Sequence, residues 1–150
     1  MTRKSIIEVT AAIIFDNDRF LICQRPKGKN CELLWEFPGG KIEDGETGES
    51  CVIRECQEEL GIIVGGVQYF ESVTQEYSDR TIHLSFYIAR IISGKLERKE
   101  HAAFAWIAFD DLTQFTFCPA DEQMLDGHKT KLIMACKQSQ KTATKTHPTE

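Results

Sequence analysis

Six cysteines, Cys23, Cys31, Cys51, Cys56, Cys118 and Cys136, form no CxxC pair and no zinc-ligand spacing. That absence removes the zinc-module reading, and no cysteine has a local setting that would mark it as a nucleophile. Reduced, buried or incidental thiols are the expectation. No apolar run approaches the roughly 18 residues that a membrane helix needs. The opening MTRKSIIEVT lacks a signal-peptide profile, and a cytoplasmic location is expected. The net charge of -5 comes without the basic stripe that tracks a phosphate backbone. Neither a nucleic-acid polymer nor a membrane is therefore expected as partner, and the chain is expected as a monomer or weak homodimer. A nucleotide substrate survives this exclusion, because divalent cations can bring a polyphosphate onto an acidic site. No internal repeat is present.

What is present is one domain's worth of chain: 150 residues, 41% hydrophobic and 27% charged. Ile6 to Phe15 is β-branched and apolar, Asp16-Asn17-Asp18 is a turn signal, and Phe20 to Arg25 is a second strand. PKGKN (26–30) reads as a loop, and Leu34 to Phe37 as a short strand entering Pro38-Gly39-Gly40. Val67 to Tyr77 and Thr81 to Ile92 form a second hairpin through Ser78-Asp79-Arg80. In it Ile82, Leu84, Phe86 and Ile88 alternate with His83, Ser85, Tyr87 and Ala89. Ala103 to Phe109 is a further strand around Trp106. Pro119 opens a helix expected to reach Cys136, weakened at Gly127. The expected domain is 1–136, and residues 137–150, rich in Lys, Thr and Gln, are expected to be a disordered tail. Strands, helix, strands and terminal helix without regular βαβ alternation predict an α+β fold with a mixed sheet.

The stretch from Gly39 to Ile62 carries the densest chemistry. Glu43, Asp44, Glu46, Glu49 and Glu55 precede Glu58 and Glu59 in a glycine-bounded segment. Its second half predicts a helix that Thr47 caps and Gly61 ends. Glu55, Glu58 and Glu59 stand at i, i+3 and i+4 on one face, with Val52, Ile53, Cys56 and Leu60 on the neighbouring arc. Like charges so placed repel. A solvated acidic face is one reading. Arg54 can pair with Glu58, but one arginine does not neutralise three glutamates, and clustered hard oxygens suit Mg²⁺ or Mn²⁺.

The segment from Gly40 to Ile62 resembles the Nudix box at each fixed position: Gly40, Glu46, Arg54, Glu55, Cys56, Glu58, Glu59, Gly61 and Ile62. Ile13 to Arg25, WEFPGGKIE, Ser78-Asp79-Arg80, Lys99-Glu100, Trp106 and Phe117-Cys118-Pro119-Ala120-Asp121 are similar to the MutT branch in order and spacing. The resemblance covers most of residues 6 to 135. It implies a Nudix α/β/α sandwich around a mixed sheet, and cleavage of a nucleoside triphosphate to monophosphate and pyrophosphate.

By the family pattern, Glu55, Glu58, Glu59 and the Gly40 carbonyl bind Mg²⁺, with Mn²⁺ as substitute. Glu100 is a further metal ligand or the general base; taken alone it is one charge in the solvated stretch LERKEH. The choice of base between Glu55 and Glu100 stays open. Arg54 and Glu46 would orient the ligands, with Gly61 a structural member of the box. Arg25, Phe37, Arg80 and Asp121 would meet the nucleotide, and His83 is read as structural. MutT itself has asparagine where this chain has Asp121. An amide donates and accepts, whereas an ionised carboxylate only accepts. Asp121 leaves 8-oxo-dGTP as the leading substrate, CTP or 5-methyl-dCTP as the alternative, and a helix cap as its plainest role. A catalytically silent nucleotide-binding module would have lost a box glutamate, and none is missing.

Overall fold

The computed structural model describes residues 5–146, with side chains through residue 138. Its strands are β1 (Ser5–Asp16), β2 (Arg19–Gln24), β3 (Trp35–Glu36), β4 (Gly39–Lys41), β5 (Ile62–Glu76), β6 (Arg80–Gly94) and β7 (Ala103–Ala108). Helix α1 spans Gly48–Leu60, a 3-10 segment Phe109–Gln114, and helix α2 Pro119–Thr146. β1 is central. It lies parallel to β6 and antiparallel to β2 and β4, β5 closes one edge antiparallel to β6, and β3 and β7 flank β2. This mixed sheet between two helices is the expected α/β/α sandwich.

Alternation along the strands divides the apolar residues between two cores. Ala11, Ile13, Phe20, Ile22, Leu84, Phe86 and Ile88 face α2 and its Met124, Leu125 and Leu132. Ala12, Ile14, Leu21, Cys23, Tyr87 and Ala89 face α1 and its Val52, Cys56 and Leu60. The period of two in β6 thus sorts its residues as the sequence predicts, except that β6 starts at Arg80 and continues to Gly94. His83 pairs its Nδ1 with Glu8 at 2.7 Å across the β1–β6 register, a partly exposed structural contact.

α1 begins at a capping box: Thr47 accepts from Ser50 N–H at 3.1 Å, and Ser50 Oγ accepts from Thr47 N–H at 3.0 Å. It ends at Gly61, whose φ of 69° is left-handed, and β5 starts one residue later. Burying an apolar side chain is worth about 1.5–3 kcal/mol, against a few tenths for each like-charge pair on a helix. Val52, Cys56 and Leu60, each fully buried, therefore hold the acidic helix in place.

Helix α2 runs past its expected end at Cys136. The helix bends at His128, one residue after Gly127, and then continues to Thr146. Leu132 and Cys136 anchor the part beyond the bend. Once that turn is packed, Lys, Gln and Ala propagate a helix at little cost. Residues 147–150 of the expected tail lie outside the described residues.

Candidate active site

The chain between β3 and α1 makes one wall of the site. Pro38 O accepts from Ala12 N–H at 2.7 Å, and β4 pairs with β1 at Ala11↔Gly39 and Thr10↔Gly40. This pairing leaves no room for a side chain at Gly39, and the Glu55 carboxylate fills the space beside Gly40. A Cβ on Gly39 would stand 2.0 Å from Thr10 O, and one on Gly40 would stand 2.5 Å from Glu55 Cδ. Gly40 therefore serves by close approach: it lets the Glu55 carboxylate rest against the β4 backbone.

Arg54 organises the acidic residues around it. Its Nε and Nη2 grip Glu46 at 2.6 and 2.9 Å, Nη1 donates to Glu55 at 2.8 Å and Glu58 at 3.1 Å, and Nη2 also donates to Lys41 O at 3.1 Å. The fork onto Glu46 is bidentate, a geometry that arginine alone supplies. Glu46 also accepts from Glu43 N–H at 2.9 Å. Hydrogen bonding from Arg54 holds the Glu46 carboxyl down at about 2. Arg54 and Glu46 thus tie the loop to the helix. Glu58 leans onto Arg54 with its side chain 57% exposed, apart from the buried pair described next.

Glu59 is 7% exposed, and its Oε2 is buried with no hydrogen-bond partner among the described residues. Desolvation first, then the charges of Glu55, Glu36 and Glu100, pushes its carboxyl up to about 9. Glu55 is raised as well, first by burial, and a hydrogen bond joins the two carboxyls. Together they keep one proton where two charges would repel. Among the described residues no group of three or more His, Cys, Asp or Glu side chains is arranged as a ready metal cage. A cation nonetheless fits the donors present: an orphaned buried carboxylate oxygen, a second carboxylate beside it, and the backbone at Gly40.

Glu59 and Gly40 open into a cleft of about 800 Å³. Arg25, Phe37, Arg80, Glu100 and Asp121 also line it, so the structure brings these seven sequence-predicted residues from six separate segments to one concavity, while Glu46, Arg54, Glu55 and Glu58 stay behind its lining. Arg80 lies at the start of β6 with its guanidinium 5.2 Å from the Tyr77 ring. Phe37 is 2% exposed and packs on Phe20, Phe86 and Phe117. Its backbone N–H donates to Asp121 Oδ1 at 3.0 Å. Asp121, at the start of α2, is 4% exposed, and burial followed by the Glu36 charge pushes its carboxyl up to about 8. Its bond to Phe37 crosses 84 positions of sequence, so a role confined to capping its own helix is excluded.

Arg25 lines the cleft with donors already engaged. Nε donates to Asn30 O at 2.6 Å, and Nη1 to both oxygens of Glu36 at 3.2 and 3.3 Å. Glu36 also takes His101 Nε2 at 3.1 Å. Sequence reasoning missed Glu36 and His101. Glu36 stood in the quoted run WEFPGG and His101 next to Glu100, but no short-range pattern joins residues 65 positions apart. The cysteines behave as expected: all six are free, and burial pushes Cys56 and Cys136 up to about 12, which disarms them as nucleophiles.

The NUDIX domain family matches residues 6–127, and the chain belongs to it as a Nudix hydrolase. It is similar to the CTP pyrophosphohydrolase of Escherichia coli K12, 38% identical over 122 residues that span 81% of this chain and 90% of that protein. The 8-oxo-dGTP diphosphatase of Proteus vulgaris is likewise 38% identical, over 101 residues spanning 67% of this chain and 90% of the relative. The solution structure of the E. coli ORF135 protein superposes with a TM-score of 0.73 at 36% identity, covering 85% of this chain and 91% of that one. Nudix hydrolases generally use divalent metal ions. Among the described residues no helix is long and apolar enough to cross a membrane.

Proposed function

We propose that this Nudix hydrolase cleaves a nucleoside triphosphate to the monophosphate and pyrophosphate with Mg²⁺, Mn²⁺ substituting, and that 8-oxo-dGTP is the leading substrate. One observation carries the reading: a single cleft is lined both by a buried carboxylate whose Oε2 has no partner among the described residues and by a buried carboxyl, raised to about 8, that accepts from the Phe37 N–H. The first suits a cation and a phosphate chain, the second a nucleobase. A cytoplasmic location agrees with the six free thiols.

The cation, held by Glu55, Glu59, Gly40 O and Glu100, with Glu58 turning in from Arg54, would neutralise the charge that builds on the departing phosphate oxygens. Arg54 keeps Glu55 aimed at Gly40 and Glu46 fixed to the loop, so the ligands are oriented beforehand. Glu55 or Glu100 accepts the proton of the attacking water. Arg80, at the cleft wall, attracts the polyphosphate, and Arg25 presents the guanidinium edge left free by Glu36.

Asp121 reads the base. At neutral pH its carboxyl stays protonated, with Oδ1 engaged by Phe37 N–H, so it offers one O–H donor and residual acceptor capacity. A neutral carboxyl can donate to O6 of an oxidised guanine, as an amide at the same place can. The same group can donate to cytosine N3 while accepting from its exocyclic amine. That second reading, CTP or 5-methyl-dCTP hydrolysis, is favoured by the aspartate itself and by the likeness to a CTP pyrophosphohydrolase.

The test is pyrophosphate release from a panel of canonical, oxidised and methylated nucleoside triphosphates with Mg²⁺. Highest kcat/KM on 8-oxo-dGTP supports the leading reading, and highest on cytosine nucleotides selects the second. No metal-dependent turnover on any nucleotide would sink both. Asp121→Asn should move the ranking toward oxidised guanine by roughly tenfold, the scale of one hydrogen bond in a buried site.

A further inference from the structure

Glu100 has the least secured side chain of the site. It is exposed, and its carboxylate makes no hydrogen bond or ion pair among the described residues. Its neighbour is the opposite. His101 is 8% exposed, and its Nε2–H donates to Glu36 at 3.1 Å, while Nδ1 is buried with no partner among the described residues. Glu36 is itself fixed by Arg25 Nη1 on both oxygens. β3 and β7 flank β2 on opposite edges, Gln24 pairing with Trp35 on one side and Ala103 on the other. The Glu36–His101 bond therefore reaches over the end of β2 and ties the loop before β7 to β3. Backbone bonds tie the rest of that loop, Glu97 N–H to Leu60 O at 2.8 Å and Ala102 N–H to Gln24 O at 2.9 Å. Within the loop Arg98 donates to Ala102 O and Lys99 meets Glu97 at 3.9 Å, but among the described residues His101 is the one next to Glu100 whose side chain is tied to another element.

We propose that His101 is a positioning residue: by donating to Glu36 it fixes the loop 95–102 so that the adjacent Glu100 carboxylate faces the cleft. The proposal rests on the reading of Glu100 as a working carboxylate. Its physical basis is reach. A glutamate on an unanchored loop samples several rotamers and backbone positions, and a misplacement of about 1 Å can cost up to roughly a hundredfold in rate. Anchoring the next residue removes the backbone part of that freedom without constraining the carboxylate, which stays available for the reaction. A purely space-filling histidine would stabilise the fold and leave the work of Glu100 unchanged.

The test is a double-mutant cycle on the full-length protein with His101→Ala, Glu100→Gln and both together, scored as kcat and KM with Mg²⁺. His101→Gln, which retains an N–H donor, serves as the rescue variant. Alongside, hydrogen exchange of the metal-free proteins is followed at amides 95–102. His101→Ala is expected to lower kcat roughly tenfold with KM within about twofold, and His101→Gln to regain most of the loss. In the Glu100→Gln background His101→Ala should cost less than about twofold more. Faster exchange should be confined to 95–102. Equal losses with and without Glu100, or unchanged exchange in the loop, would overturn the positioning role while leaving Glu100 in place. A wild-type rate for Glu100→Gln would instead overturn the reading of Glu100, and the proposal with it. If His101→Ala does not fold, His101→Gln and His101→Asn, which differ in reach, run the same cycle.

Discussion

Glu59 and Asp121 occupy the same cleft, are almost equally sealed from water, and are both raised first by desolvation. Their neighbours differ. Around Glu59 stand Glu55, Glu36 and Glu100, all acting in the unfavourable direction, and one of its oxygens has no partner among the described residues. Around Asp121 the Phe37 N–H, its own N–H and the Arg25 charge act against the desolvation and the Glu36 charge. An acid surrounded by acids gains by exchanging its proton for a cation. An acid that N–H donors hold in place, while burial and the Glu36 charge still keep its carboxyl raised, has an oriented proton for recognition. It has no surplus of acidic neighbours to draw a cation. Burial alone does not assign a role to a carboxyl group; the sign of what faces it does.

The largest effect that can break this contrast is Glu59→Gln. It should lower metal-dependent pyrophosphate release by roughly 10²–10³-fold, the scale of losing one preorganised electrostatic group. The melting temperature of the metal-free protein should meanwhile hold or rise, because a buried acid is replaced by a neutral isostere. Near-normal turnover would remove Glu59 from the metal end. Gly40→Ala comes next. Its Cβ would stand 2.5 Å from Glu55 Cδ, so the carboxylate must move, and a loss of roughly 10–100-fold in kcat is expected with the fold intact by circular dichroism. Unchanged kcat would show that Glu55 does not need its seat on β4.

Asp121→Asn gives the smallest effect and the sharpest sign. The carboxyl of Asp121 goes from an ordinary 3.8 in the unfolded chain to about 8 when folded. Between those values the folded protein binds a proton that the unfolded chain has lost. Stability must then fall as pH rises from about 4 to about 8, by roughly a few kcal/mol in total. Urea unfolding of the wild type and of Asp121→Asn should show the variant gaining on the wild type across that window. Parallel pH profiles would mean that Asp121 is ionised in the folded protein.

Much of the site was legible in the sequence because its signals are local. Thr47, Gly61 and the i, i+3, i+4 glutamates lie within a few turns of one helix, and the alternation in β6 reports its two faces without help from other segments. The Arg54–Glu46 pair spans eight positions and follows from the family pattern. The Glu36 junction with Arg25 and His101 was not legible, because strand order β3-β2-β7 brings those residues together and no periodicity encodes it. Asp121 was singled out as the substrate-determining residue, but not its bond to Phe37 N–H, which depends on α2 starting beside β3. The extension of α2 beyond Cys136 escaped for a different reason. Its polar composition looked like a tail, and only the packing of Leu132 and Cys136 supplies the nucleus from which it extends.

The exchange of a proton for a cation at the Glu55–Glu59 pair is the most direct measurement. Adding saturating Mg²⁺ to the metal-free protein near pH 7.5 in weak buffer should release about one proton per chain, and Glu59→Gln should abolish that release. No proton release from the wild type, or equal release from the variant, would contradict a cation taking its place at Glu59.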